Sequence, residues 1–428
     1  MTRDASVVPD ERQRTIVLLA TTTGYQIRSF GEAARALGVR LVIASDRCDH
    51  LDDPWHDDAI PIRFQDPEGS AQRVLDALGD PPAGVIAVGD RPTVLAAHLA
   101  ARAGLPGNPP DAADRSRNKL AARQAWRSAG LLTPAFDIVP SGSDAESIAT
   151  AASYPAVVKP LALSGSRGVI RVDTPDECRA ALDRVRRLLH ADDIRGERDA
   201  VHEVMLIESF IPGCEFAVEG VLTNGVFTPF AIFDKPDPLD GPFFEETIYV
   251  TPSRAAASVQ QLIVETVSEA ALALGLRHGP VHAECRVNDR GVFVLEVAAR
   301  PIGGLCSRAL RFGDDASLEE VLLRHAAGED VRGIQRETAA SGVMMIPIPA
   351  RGVFRGVDGV EAARAVSLIN DVKITAKQDA LLLPLPEGRS YLGFIFARGD
   401  TAMAVERALR EAHARLHFTI ERELAVLP

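Results

Sequence analysis

The chain has 428 residues, 46% of them hydrophobic and 25% charged, and a net charge of −12 from 47 basic and 59 acidic side chains. That length points to roughly two to four domains rather than one core, and the acidic balance argues against a general nucleic-acid binder. The longest apolar runs, such as Ile16 to Ala20 and Ala270 to Leu274, fall far short of the roughly 20 residues that a membrane span needs.

The first stretch, Met1 to Thr15, lacks the apolar core of a signal peptide and reads as a polar lead-in. Thr15 to Ala20 is a short apolar strand, followed by a turn at Thr21-Thr22-Thr23-Gly24. An amphipathic segment runs from Arg28 to Leu37, and strands follow at Leu41 to Ala44 and Gly84 to Val88. A helix is predicted over Pro92 to Ala103. This alternation implies a parallel α/β unit over residues 1–112. Its first loop lacks G-x-G-x-x-G, so no dinucleotide site is assigned. Leu105 to Pro110 reads as a linker, and a helix from Arg117 to Ala129 stops at Gly130 with Pro134 beyond.

Short strands at Ala156 to Lys159 and Gly168 to Val172 flank a small polar loop, and a helix covers Asp176 to Leu189. Residues 113–203 are read as one unit. Strands at Val204 to Glu208 and Glu215 to Val221, a helix at Ile263 to Leu274 and a hairpin make up residues 204–335. The last portion, 336–428, mixes short strands with a helix from Thr401 to Leu416. The fold class is therefore α/β and α+β, multidomain. Five cysteines, at 48, 178, 214, 285 and 306, are scattered without Cys-x-x-Cys spacing. A disulfide framework or zinc site is not expected, and a reducing cytoplasm is.

His282 to Gly304 carries the most chemistry. Asn288-Asp289-Arg290-Gly291 joins two alternating runs and signals a hairpin. Paired strands lie about 5 Å apart, so Glu284 on one run and Glu296 on the other are predicted to share a site. Two carboxylates that close do not both stay ionised without a cation, and a hard divalent ion such as Mg2+ resolves the conflict. Arg300 is predicted on the same strand face as Glu296 by period-2 counting, placed to meet an anion.

Lys159 ends an apolar strand and precedes Leu163-Ser164-Gly165-Ser166-Arg167-Gly168, whose small residues let backbone N–H groups approach phosphate. Leu206 to Gly213 is an apolar strand and tight turn suited to an adenine edge, and Glu215 beyond it suits ribose hydroxyls. Lys119 opens a helix, for which a solvated face is the default.

Taken in order, Arg117-Asn118-Lys119, VVKPLALSGSRGV, LIESFIPGCEF, HAECRV and VLEVAARP resemble the ATP-grasp superfamily over roughly residues 1 to 310. GPFFEETIYVTPS (Gly241 to Ser253) and GVMMIPIPARG (Gly342 to Gly352) are similar to the L-amino-acid ligase branch, which includes dipeptide synthetases and carnosine-synthase-like enzymes. The resemblance implies a pre-ATP-grasp domain, a two-part ATP-grasp fold and a small C-terminal α+β subdomain. It implies that Lys119 and Lys159 contact ATP phosphates and that Ser164, Gly165, Ser166, Arg167 and Gly168 form a flap. Glu208, Phe210 and Ile211 would line adenine, and Glu215 the ribose. Glu284 and Glu296 would hold Mg2+ or Mn2+, and Arg300 would stabilise the acyl phosphate, with Gly303 and Gly304 as further donors.

Glu246 and Tyr249 would meet an amino-acid substrate. A carboxylate beside Phe243 and Phe244 wants a cation, and a substrate ammonium is the expected one, with Glu245 on the opposite face. The chain departs from the superfamily's usual Glu-x-Asn-x-Arg in having Ala298 at the Asn position, which puts the number of metal ions in question. The implied activity is ATP-dependent ligation of a small-molecule carboxylate to an amine, with a homodimer as one implied state and no nucleic-acid or membrane partner. Alternatives are a bicarbonate-using carboxylase of the biotin or purine type and a non-catalytic ATP-binding regulatory module.

Overall fold

The computed structural model describes residues 13–21, 26–47, 59–388 and 390–422. The N-terminal lead-in, most of the turn at Thr21-Thr22-Thr23-Gly24, and Cys48 lie outside them. Thr15–Ala20 is the second-last strand of a four-stranded sheet that runs Ile60–Pro61, Arg40–Ser45, Thr15–Ala20, Gly84–Val88, all parallel. Its residues from Ile16 to Ala20 are buried without alternation, as a parallel strand covered on both faces requires. A helix at Pro67–Leu78, capped by Asp66, and the short strand Ile60–Pro61 escape the sequence reading.

The helix Leu318–Ala326 packs into the core of this first unit, with Leu318, Val321 and Leu322 against Ile16, Leu18 and Phe30. Gly84 permits the approach: a Cβ there would lie 2.3 Å from the Ala326 carbonyl oxygen. The predicted units 1–112 and 204–335 therefore share packing.

The predicted linker holds over residues 105–109 and the predicted helix is Lys119–Ser128, but a further helix, Pro110–Arg117, stands between them. Asn118 breaks the two helices with an extended backbone. Its side chain accepts from the backbone N–H groups of Leu120 and Ala121 at 3.1 and 3.2 Å, an N-cap worth about 1 kcal/mol. Trp126 is buried, and its indole N–H donates to the Ala270 carbonyl at 3.0 Å.

A second, four-stranded sheet has the order Phe136–Pro140, Val204–Ser209, Ala156–Pro160, Ile170–Val172. Val204–Ser209 thus belongs with the smaller unit, because it pairs antiparallel on both sides there; the predicted boundary at 204 falls too early. The third sheet has eight strands, in the order Gly291–Ala298, Gly279–Asn288, Cys214–Thr223, Val226–Lys235, Ile248–Thr251, Ala340–Ile346, Gly393–Gly399, Ile369–Ile374. Its last three strands come from the C-terminal portion, so that portion continues the main sheet rather than standing apart. Helix Ala402–His413 covers it, capped by Thr401. Among the described residues no helix is long and apolar enough to cross a membrane.

Candidate active site

The second and third sheets and the N-terminal unit border a cavity of about 340 Å³. Every residue predicted for the site lines it except Arg167 and Gly168. Those two secure the flap from behind. Arg167 bonds the Glu387 carbonyl at 2.9 Å and Asp193 at 2.8 Å, and the Gly168 N–H donates to the Pro386 carbonyl at 2.8 Å. Ser164, Gly165 and Ser166 face the cavity. Gly165 and Ser166 have φ of +63° and +55°, left-handed conformations that suit the glycine and turn the loop tightly.

The hairpin forms as expected. Asn288 pairs with Gly291 and Glu284 lies opposite Glu296 in register, with a bulge between Glu284 and Cys285. The two carboxylates have different neighbours. Glu296 lies 3.4 Å from the Lys119 ammonium and 3.7 Å from the Arg300 guanidinium. Glu284 accepts from Lys235 Nζ at 3.0 Å and from the Tyr249 hydroxyl at 3.3 Å. Arg300 sits beyond the strand end at Ala298, so the period-2 argument does not place it. Asp90 does, accepting from its Nε at 2.9 Å. Burial works against that carboxyl's ionisation, but Arg300 holds it below the ordinary value.

Glu208, predicted to line adenine, is a buried ion-pair partner at the cavity wall. It accepts from Arg123 Nε at 2.8 Å and lies 2.6 Å from Lys159 Nζ. Burial alone would raise its pKa, but Arg123 and then Lys159 bring it down to about 2. The turn's backbone is also largely committed. The N–H groups of Ser209 and Phe210 donate to the carbonyls of Ala135 and Pro155 at 2.8 and 3.0 Å. The Phe210 ring remains, stacked 6.4 Å from Phe244.

Glu246 has one cation within the protein, Lys235 Nζ at 2.8 Å. Phe243 to Glu246 precede the strand, which begins at Ile248, so the strand alternation assumed for Glu245 does not apply. Lys235 also bonds Glu215 at 2.8 Å, and Glu215 in turn holds Arg286 at 2.8 Å. Glu215, predicted to meet ribose, thus stands between Lys235 and Arg286 in the cavity wall.

Carboxylate oxygens of Glu215, Glu246 and Glu284 lie within 4.8 Å of one another. At an effective dielectric near 20, such a pair repels by roughly 3 kcal/mol, while an ammonium about 3 Å away attracts each carboxylate by roughly 5 kcal/mol. Lys235 therefore decides the balance. Burial raises the Glu246 carboxyl to about 7 against the pull of Lys235, with Glu284 adding to the rise.

His282 completes the centre. Its Nδ1 lies 3.1 Å from Glu219, which is fully buried and accepts from the Ile302 N–H, and its Nε2 lies 3.7 Å from Glu284. Burial would lower its pKa, yet hydrogen bonds to Glu219 and Glu284 raise it to about 9. Lys235, Arg123, Asp90 and His282 were all absent from the sequence-based site. Asp90 had a usable signal, since it follows the carboxyl end of a parallel strand, where ligands bind in such sheets.

The cavity thus unites lysines and an arginine able to meet phosphate with carboxylates whose all-oxygen donors suit a hard divalent ion. Glu284 and Glu296, on facing strands, fit such an ion.

Residues 152–309 match a model of the ATP-grasp domain, and residues 344–421 match one of the L-amino acid ligase C-terminal domain 2. The crystal structure of L-amino acid ligase from Bacillus licheniformis superposes with a TM-score of 0.81 at 27% identity, covering 96% of this chain and 100% of that one. Carnosine synthase 1 of Gallus gallus is 30% identical over 72% of this chain and 35% of its own length. Alanine–anticapsin ligase of Bacillus subtilis is 27% identical over 52% of each. The chain spans between 35% and 64% of the length of three curated relatives that it matches.

Proposed function

We propose that this chain, a member of the ATP-grasp superfamily with an L-amino acid ligase C-terminal domain, is an ATP-dependent carboxylate–amine ligase that joins amino-acid-like substrates. The observation that carries this reading is the convergence of Lys119, Lys159 and Arg300 with Glu284 and Glu296 on one cavity roofed by the small-residue flap.

In the first step a substrate carboxylate oxygen attacks the γ-phosphorus of ATP, the bond to the bridging oxygen breaks, and ADP leaves. The acyl phosphate that results is a far better acyl donor than the carboxylate. In the second step an amine attacks the acyl carbon, the bond to phosphate breaks, and the nitrogen gives up a proton. Lys119 and Lys159 bind and orient the phosphates. Glu208 holds Lys159 in place, and Glu284 and Glu296 would hold the divalent ion. That ion, Mg2+ in this reading, supplies charge neutralisation to the phosphate oxygens.

Arg300, fixed by Asp90, presents a planar fork to the acyl phosphate and to the tetrahedral oxyanion, with Gly303 and Gly304 N–H groups as further donors. Ser164 to Ser166 exclude water from the acyl phosphate, which hydrolysis would waste. Glu246 receives the amine substrate's ammonium before it is deprotonated. Its neighbours Met345, Tyr391 and Cys306 supply an apolar wall to that end of the cavity.

The test is ADP release over pairs of amino acids, with mass analysis of products and a parallel arm in bicarbonate without amine. Amine-dependent ADP release with an amide product is expected. Release driven by bicarbonate alone would make the protein a carboxylase. ATP binding without turnover in any arm would make it a regulatory module.

A further inference from the structure

We propose that Lys235 is a positioning residue that stands where a divalent cation would otherwise sit, within the cage of Glu215, Glu246 and Glu284, and thereby keeps Glu246 for the amine substrate. The role of Glu246 rests on the ligase reading; the filled cage does not.

The three carboxylates arrive from separate parts of the chain. Glu215 and Glu284 lie on the neighbouring strands Cys214–Thr223 and Gly279–Asn288, and Glu246 precedes the strand Ile248–Thr251. Their oxygens span no more than 4.8 Å, a spacing at which an oxygen-bound metal ion is the usual neutralising partner. Here the partner is an ammonium. Nζ of Lys235 bonds one oxygen of each, at 2.8, 2.8 and 3.0 Å. An ammonium has three N–H donors, and all are spent on carboxylates, so Lys235 has none left for a phosphate or a substrate carboxylate.

The lysine is also held from outside the cage. Its strand, Val226–Lys235, places it directly opposite Glu215 in the sheet. The Tyr249 ring lies 5.0 Å from Nζ, and the side chain is 2% exposed. Burial and the ring hold Nζ inside the cage.

The carboxylates are unequally served by other groups. Glu215 has Arg286, and Glu284 has Tyr249 and His282. Among the described residues Glu246 pairs with Lys235 alone. Its side chain retains 17% exposure and borders the cavity. A metal ion in the cage would draw Glu284 away from Glu296 and occupy Glu246, the group proposed for the amine. The lysine prevents both, because it neutralises the cage without presenting an open coordination site.

The experiment counts Mn2+ bound per chain by electron paramagnetic resonance, on the full chain with a non-hydrolysable ATP analogue. Wild type and Lys235→Met are compared, with circular dichroism and thermal melting as controls of folding. One more Mn2+ per chain is expected in Lys235→Met. Excess Mg2+ is expected to inhibit Lys235→Met competitively against the amine and to leave wild type without such competition. Equal Mn2+ counts in a folded Lys235→Met overturn the proposal. Should that variant not fold, Lys235→Gln, which keeps hydrogen-bond donors without charge, is measured instead: an extra ion supports the proposal and none overturns it. An extra ion with no amide product from wild type would remove the ligase reading and leave the filled cage standing. Amide product with no extra ion would do the reverse.

Discussion

Two ion clusters border the cavity, and they are built on opposite charge balances. In one, Glu208 is the single carboxylate between Arg123 and Lys159. In the other, Lys235 is the single ammonium among Glu215, Glu246 and Glu284. In each the minority charge sits centrally, with 2% of its side chain exposed. The first cluster leaves positive charge over, which a triphosphate neutralises. The second leaves negative charge over, which a substrate ammonium would neutralise. One cavity can therefore hold an anionic nucleotide and a cationic substrate side by side, provided that each surplus stays on its own wall.

The hairpin glutamate nearest the lysines tests that separation most severely. Glu296→Gln is expected to abolish Mg2+-dependent ADP formation while circular dichroism shows an intact fold. Turnover at ordinary Mg2+ concentration would release Glu296 from any part in metal binding.

Acid should break the positive cluster next. Folding moves the Glu208 carboxyl from an ordinary 4.5 down to about 2. A depressed folded pKa means that the stabilisation is complete above about pH 4.5 and is lost as pH falls through about 2, a loss of about 3 kcal/mol. Urea unfolding of wild type at a series of pH values should show this slope, and Glu208→Gln should flatten it. An equal slope in both proteins would assign the acid sensitivity elsewhere.

Arg300→Lys is expected to retain ATP binding by calorimetry and to lose about 10²-fold in kcat, the usual cost of one transition-state donor. A near-parental kcat would leave the Gly303 and Gly304 N–H groups as the oxyanion donors. The smallest effect is expected on the negative wall. Glu246→Ala should raise the KM for the amine by roughly tenfold, the worth of one charge-assisted hydrogen bond, with the KM for ATP unchanged. Equal changes in both would make Glu246 a structural residue.

The two clusters were unequally legible in the sequence. The hairpin and the opposition of Glu284 to Glu296 follow from a four-residue turn and local alternation, so they could be read directly. Glu208, Glu215 and Glu246 could be named, but their partners could not. Arg123 lies on a helix where an arginine normally faces solvent, and it reaches Glu208 across 85 positions. Asp90 meets Arg300 across 210 positions.

Lys235 ends a strand, Val226–Lys235, that the sequence reading did not recognise. Its apolar FAIF stretch before Asp234-Lys235 was the available sign. Arg167 and Gly168 were assigned to phosphate because small-residue loops commonly serve it. Only the tertiary contact with Pro386 and Glu387 shows that they face the other way. Local periodicity thus revealed which residues carry charge, while long-range pairing decided what each charge does.

The continuity of the eight-stranded sheet bears on how such a protein could be recombined. Tyr249 pairs with Val343 where the strand Ile248–Thr251 meets Ala340–Ile346, and Met345 and Tyr391 from the C-terminal portion stand in the cavity wall. Ending the chain after residue 335 would strip the partner from a strand beside the cavity and expose a raw sheet edge, a template for self-association. Swapping that portion for a relative's would instead keep the edge covered and exchange part of the cavity wall, together with Pro386 and Glu387 that anchor the flap. The seam between the parts is therefore a poor place to divide the protein and a good place to graft it.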